Sequence, residues 1–250
     1  MSISVVGEDD VPHIGALNRL SEVLDIKSSA GSTFHVPIVM LFDYDAIGLA
    51  AGERPVMKYY NEKQERWIYV GGEVNEDGKI VIEIDHFTLF AVTSMQPIPF
   101  SDLAEGHWAR AYVDRLAGMG VIDGQGDGTF APNESVTRAQ FAKMIVEALG
   151  MKSEGMLTGF ADGALISSWA RSYVSAAEQA GFIQGYEKNG ARWFRPNQTI
   201  TRAEMAVMIA NAAGLASMSS AVFSDQQNIP GWAQTAVQSA SASGIISGYP

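Results

Sequence analysis

Val136-Thr137-Arg138-Ala139-Gln140-Phe141 and Ile200-Thr201-Arg202-Ala203-Glu204-Met205 are one helix start written twice, and they decide how the second half of the chain is read. Each threonine is placed to accept the backbone amide three residues on, while Gln140 or Glu204 reaches back to the threonine amide, which is a capping box. Val136 with Phe141, and Ile200 with Met205, supply the hydrophobic staple that sets the angle of approach to the helix. Downstream, Phe141, Met144, Ile145, Ala148 and Leu149, matched by Met205, Met208, Ile209, Ala212 and Ala213, predict two amphipathic helices with those residues as the buried stripe.

Upstream of each box the repetition continues. Phe100-Ser101-Asp102, Phe160-Ala161-Asp162 and Phe223-Ser224-Asp225 recur at spacings of 60 and 63, and Trp108, Trp169 and Trp232 follow them. Trp108, Tyr112 and Leu116, like Trp169, Tyr173 and Ala177 and like Trp232, Ala236 and Ala240, are spaced to share a helix face. Each run ends in a glycine suited to a left-handed C-cap, in Gly120-Val121-Ile122-Asp123-Gly124, Gly181-Phe182-Ile183-Gln184-Gly185 and Gly244-Ile245-Ile246-Ser247-Gly248. The third copy stops before a capping box. A bundle of three such repeats needs six helices and these supply five, so Ala233, Val237, Ala240 and Ile245 are expected to face water and to favour self-association through the third repeat.

These residues resemble the S-layer homology family, over about residues 98–250, in two full copies and a truncated third. The resemblance implies an all-α repeat bundle of pseudo-threefold symmetry, exported to the bacterial cell surface. It further implies that grooves between the repeats hold a pyruvylated secondary cell-wall polysaccharide without a covalent bond. Carried over by motif, the glycan-binding set is Arg138, Arg202, Asp102, Asp162, Asp225, Trp108, Trp169, Trp232, Gly124 and Gly185. Gln140 departs from the family's glutamate. The residues themselves leave alternatives open. Arg138 and Arg202 sit in a first helical turn, where exposed amides and a planar guanidinium suit a carboxylate, but each could instead brace one of the repeat aspartates. The aspartates read first as helix caps and the tryptophans first as core packing, with sugar contact second.

Before Pro97 the pattern changes to β-branched and aromatic runs: Phe34 to Phe42, Val56 to Tyr60, Arg66 to Val70, Lys79 to Ile84 and Thr88 to Val92, separated by glycine turns. The fold class expected is therefore multidomain α+β. An antiparallel β-sandwich-like domain spans 30–96, after a segment 1–29 whose one regular feature is a helical stretch from Ile14 to Leu24. Repeats follow at 98–158, 159–220 and 221–250.

Composition narrows the function. The 250 residues carry a net charge of −11, with 7 basic and 15 acidic side chains in 1–97 against 10 and 13 in 98–250. That field opposes nucleic acid and anionic lipid. No cysteine is present, which removes disulfides and thiol chemistry, and no apolar run reaches the ~18 residues that span a bilayer. The acidic start and the break at Ser247-Gly248-Tyr249-Pro250 lead to the expectation of a noncatalytic surface anchor that is the C-terminal piece of a longer exported protein; the leading alternative is that the missing upstream part is a polysaccharide-degrading enzyme and this piece only its tether. The four histidines never reach metal-ligand spacing, and the Asp123 to Glu134 stretch imitates a calcium loop but carries Gln125 and Pro132 inside it, so neither metal nor cofactor is expected. His86-Phe87-Thr88 is similar to the cleavage step of autoproteolytic β-sandwiches, with His86 and Thr88 as the candidate residues. The tripeptide alone does not supply the strain that such chemistry needs, so an intact, noncatalytic chain is expected.

Overall fold

Residues 1–12, 18–29, 31–62, 65–151, 158–218 and 223–248 are described by a computed structural model. The backbone divides into two compact units, Met1–Ala131 and Pro132–Pro250.

In the first unit, strands β1 (Ser2–Val5), β2 (Leu24–Lys27), β3 (Thr33–Phe42), β4 (Arg54–Asn61), β5 (Arg66–Gly71), β6 (Glu73–Val74), β7 (Ile80–His86) and β8 (Leu89–Met95) form two antiparallel sheets. One has the order β1-β2-β8-β4-β5 and the other β3-β7-β6. Alternation sets the faces: Ile80, Ile82 and Ile84 point inward along β7 while Glu83 and Asp85 point out. They join Phe42 of the small sheet and Ile26, Met57, Phe90 and Val92 of the large one in a single core. The helical stretch expected from Ile14 to Leu24 is not there over its described part. Residues 14–17 lie outside the described residues, Leu20 donates its amide to Val92, and Leu24 pairs with Phe90 as the first residue of β2. A ladder partner contributed from 66 residues away outweighs the local helical period.

Helix α1 (Arg110–Gly118) belongs to the same unit. It buries Val113 and Ala117, and a Cβ on Gly118 would stand 2.6 Å from the Met95 sulfur and 3.2 Å from Tyr69, so the bare glycine lets α1 lie against β5 and β8. Asp114 on α1 sits 3.0 Å from Arg110 and 3.8 Å from Arg54 of β4.

The second unit contains α2 (Arg138–Ala148), α3 (Ser168–Gln179), the hairpin β9 (Tyr186–Lys188) with β10 (Ala191–Trp193), α4 (Arg202–Ala212) and α5 (Gly231–Ala242). Helix α2 packs on α3 and α4 on α5, so each second helix of one repeat pairs with the first helix of the next. Both capping boxes form in both directions. The repeat glycines at 120, 181 and 244 have φ near +70°, and the following residue donates five positions back, as in Val121 to Leu116, Phe182 to Ala177 and Ile245 to Ala240.

The buried stripes are rotated from those expected. On α2, Ala139, Ala142, Ile145 and Val146 face the core, Phe141, Met144 and Leu149 are half-buried, and Ala148 is exposed; on α4 the buried residues are Glu204, Ala206, Met208 and Ala210. Small side chains allow the helices to approach closely, which displaces the larger ones to the flanks. On α5, Ala233, Val237 and Ala240 are buried rather than exposed, the first two packed with Ala206 of α4, and only Ile245 of the expected apolar patch remains in water. The patch on which self-association was expected to rest is therefore mostly covered. No helix among the described residues is long and apolar enough to cross a membrane.

Candidate functional site

The same substitution of small residues for large in the helix seams decides the tryptophans. Trp108, Trp169 and Trp232 are 80%, 48% and 60% exposed, and their neighbours Ala109, Ala170 and Ala233 take the buried places. The expectation of tryptophan core packing is corrected: a ring of that size does not fit seams that close on alanine. Tyr112 is exposed too, whereas Tyr173 is half-buried and donates its hydroxyl to Glu147 at 2.7 Å.

The aspartates do not cap the helical turns that follow them. Asp162 is 4% exposed and accepts the backbone amides of Phe194 at 2.8 Å and Arg195 at 2.7 Å, more than thirty residues away. Asp102 repeats this at the surface with Phe130 and Ala131, and those amides hold its carboxyl below the usual range. Ala131 and Arg195 both adopt φ near +60°, the bend that turns two successive amides toward one carboxylate. Asp225 makes no capping bond to the turn Gln226–Asn228. Gly124 and Gly185 are fixed by the same loops. A Cβ at Gly185 would meet the Phe160 ring at 2.6 Å and the Trp193 carbonyl oxygen at 2.8 Å, and at Gly124 the Phe100 ring at 2.5 Å and the Thr129 carbonyl oxygen at 2.6 Å.

The two equivalent arginines diverge. Arg138 is 5% exposed; its Nη1 lies 2.9 Å from Glu204 Oε1 and its Nε donates to the Phe194 carbonyl at 2.7 Å. The guanidinium lies 4.8 Å from the Tyr186 ring centre and 5.2 Å from that of Phe194. Burial pushes its pKa down, and Glu204 works against that shift. Its carboxylate partner is thus the glutamate of the next capping box and none of the three aspartates. Nη2 has no protein acceptor among the described residues. Arg202 is exposed, and its Nη2 donates to the Ser247 carbonyl at 2.8 Å.

Two grooves result within the second unit. The larger, about 630 Å³, gathers Arg138, Gly185 and Trp232 with Tyr186, Glu187 and Ser239. The smaller, about 400 Å³, gathers Arg202 and Asp225 with Phe223, Ile229 and Val237. Of the sequence candidates, Asp162 stands behind the larger groove by fixing Phe194, the residue whose carbonyl holds Arg138. Trp108, Asp102 and Gly124 belong to the first unit. Glu204 and Tyr186 were missed. The signal for Glu204 was the contrast with Gln140: both side chains close a capping box, but only the glutamate also neutralises a buried cation.

Residues 99–142, 159–206 and 222–250 match the S-layer homology domain family. The repeats are S-layer homology domains. Among curated relatives, the amylopullulanase of Thermoanaerobacterium thermosulfurigenes is 31% identical over 98% of this chain, which spans 13% of that protein. The surface-layer 125 kDa protein of Lysinibacillus sphaericus is 37% identical over 44% of the chain and 9% of its own length. The cellulosome-anchoring protein of Acetivibrio thermocellus is 34% identical over 45% and 25%. This chain thus spans from 9% to 25% of the length of these relatives.

The tripeptide outside the repeats is occupied by ordinary contacts. His86 Nδ1 lies 2.7 Å from Asp85, the His86 ring meets Tyr59 edge-on at 4.5 Å, and the Thr88 hydroxyl donates to the Tyr60 carbonyl at 2.8 Å. No residue of the tripeptide has a positive φ. Intact-mass measurement after days at neutral pH is expected to give one species near 26.9 kDa. Two fragments meeting at Phe87 and Thr88, absent in Thr88→Ala, would contradict this. In the imitation calcium loop, Asp127 accepts both the amide and the hydroxyl of Thr129.

Proposed function

We propose that this chain is a noncatalytic anchor that holds an exported protein to the bacterial cell surface, its S-layer homology repeats binding a pyruvylated secondary cell-wall polysaccharide. The observation that carries this reading is the larger groove. Its wall holds a guanidinium braced on two sides with Nη2 left over, and its rim holds an indole that is 60% exposed. A sugar ring stacks on an indole, and a carboxylate ketal accepts from a guanidinium. That the relatives include a surface-layer protein and a cellulosome-anchoring protein supports it. A pseudo-threefold arrangement of the repeats belongs to the same reading. So does a parent that degrades polysaccharide with this chain as its tether, since the amylopullulanase match covers 98% of this chain and 13% of that enzyme.

The test is cosedimentation with purified wall polysaccharide before and after removal of its pyruvyl groups. Trp232→Ala removes an exposed ring and leaves the α4–α5 seam intact, so the melting temperature should stay within a degree or two while affinity falls about tenfold, on the order of 1.4 kcal/mol. A wild-type chain that fails to sediment with any form of the polymer overturns the reading.

A further inference from the structure

The β-sandwich of the first unit is open along one side. Its large sheet has five strands and its small sheet three. At one end β6 follows β5 through Gly72 alone, whose φ of +107° lets the chain cross from sheet to sheet against Ile80 and Ile82, so that side is closed. Strand β3 is the opposite edge of the small sheet, at the end where β2 and β1 extend the large one. Ile3 and Val5 of β1 pair with Ile26 and Leu24, whose side chains enter the core, so all four share the inward face. Ile3 and Val5 are nevertheless 50% and 60% exposed, and no strand of the small sheet lies beyond β3 to cover them among the described residues.

The edge that β1 overhangs is unguarded. β3 has ten residues without one Asp, Glu, Lys or Arg, and a long uncharged edge strand is a template for pairing. Pro37 lies in the irregular stretch between Thr33 and Ile38, as a proline in an edge strand can. Beyond it, Ile38 to Phe42 pair without interruption with Ile84 to Ile80 of β7 on one side and with no strand on the other among the described residues. Val39 and Leu41, on the outer face of that segment, are exposed as well.

Charge states what fits. β1 and β3 run in the same direction, since β3 is antiparallel to β7, β7 returns as β8 after Phe87 and Thr88, and β8 and β1 are both antiparallel to β2. They end together, β1 before Glu8, Asp9 and Asp10 and β3 before Asp43 and Asp45. Glu8 pairs with Arg19 while the Asp45 amide donates to the carbonyl of Leu20, which brings the two acidic ends side by side. Lys79 meets Asp43, but Asp9, Asp10 and Asp45 have no basic partner among the described residues.

We propose that the open side of this sandwich docks one extended segment of another protein, which pairs with the free edge of β3, lays alternate apolar side chains on Ile3 and Val5, and carries basic residues at the end that meets Asp9, Asp10 and Asp45. Antiparallel pairing is the commoner geometry and puts the basic residues at the start of that segment. A second copy offering its own β3 would bring its β1 and β2 into the space that β1 already overhangs, whereas a single strand fits without that collision. The surface lies in the first unit and leaves the repeat grooves free.

The full chain is titrated with a short synthetic peptide of two lysines followed by alternating valine and threonine, with the same peptide carrying glutamates for the lysines, and with a version carrying a central proline. The lysine peptide should bind, and the glutamate peptide about tenfold more weakly at low salt, with the difference shrinking at high salt. The proline peptide should not bind, because it cannot complete the ladder. Binding should slow amide exchange in Ile38–Phe42. The double variant Ile3→Ser with Val5→Ser removes side chains already half in water, so its melting temperature should match wild type while the lysine peptide binds about tenfold more weakly. Failure of the lysine peptide to bind overturns the proposal. So do equal affinities for the lysine and glutamate peptides, unchanged affinity in the double variant, or slowed exchange that spares β3. A chain that sediments as a dimer and loses protection of β3 on dilution shows a second copy as the occupant and overturns it as well.

Discussion

Arg138→Ala should destabilise the second unit by about 3–5 kcal/mol, a large part of the stability of a domain this size. The substitution leaves the Glu204 carboxylate buried without its cation, removes the donor to the Phe194 carbonyl, and opens a space beneath Tyr186. Glu204→Ala should cost a similar amount from the other side, because it strands a guanidinium that is 5% exposed. The double replacement Arg138→Met with Glu204→Leu should recover much of the loss, since two apolar side chains of similar bulk carry no desolvation penalty. Denaturant titration of these proteins together with the single replacements Arg138→Met and Glu204→Leu closes a cycle and reads the result as a coupling energy. Additive losses would mean that the pair is not a unit. The consequence for function is that an alanine at 138 cannot separate binding from folding, whereas one at Trp232, which lines the same groove with an exposed ring and no core role, can.

The pairing explains what was legible in the sequence and what was not. Strands β3, β4, β5, β7 and β8 were read to within a few residues because alternation along a strand is a local signal, and both capping boxes and the three glycine C-caps were read for the same reason. The failures are nonlocal. Leu24 is a strand residue through Phe90, Asp162 is a loop clamp through Phe194, and the buried partner of Arg138 is 66 residues away. None of these partners leaves a mark at helical or strand period. The tryptophans failed differently. A period shared with Tyr112 and Tyr173 also fits the adjacent alanines one position on, and the tightness of the helix seam, which a pattern of apolar residues does not report, chose the alanines.

Asp162→Ala is the second large effect, and its contrast with Asp102→Ala follows from burial. At 162 the carboxylate is 4% exposed and its two acceptor bonds satisfy the amides of Phe194, which is fully buried, and of Arg195. Each hydrogen bond to a charged group contributes roughly 1.5–3 kcal/mol, and water reaches the abandoned Phe194 amide poorly, so a loss of about 3 kcal/mol is expected. The damage should spread to the groove, because Phe194 also provides the carbonyl that orients Arg138. Asp162→Asn keeps one acceptor oxygen and should lose about half as much. At 102 the same two bonds form in contact with water, which replaces the acceptor when it is removed, so Asp102→Ala should be the milder change. Asp102 should show itself by pH instead. The Phe130 amide, with that of Ala131, lowers its pKa in the folded state below the ordinary 3.8. Its contribution is therefore complete above the unfolded value and disappears as pH falls below about 4 and through the folded value. Denaturant midpoints at neutral pH and near pH 3 should show the loss in wild type and a smaller one in Asp102→Asn. An Asp162→Ala protein as stable as wild type would mean that the loop is held by something other than the aspartate, and the route from Asp162 through Phe194 to Arg138 would fail with it.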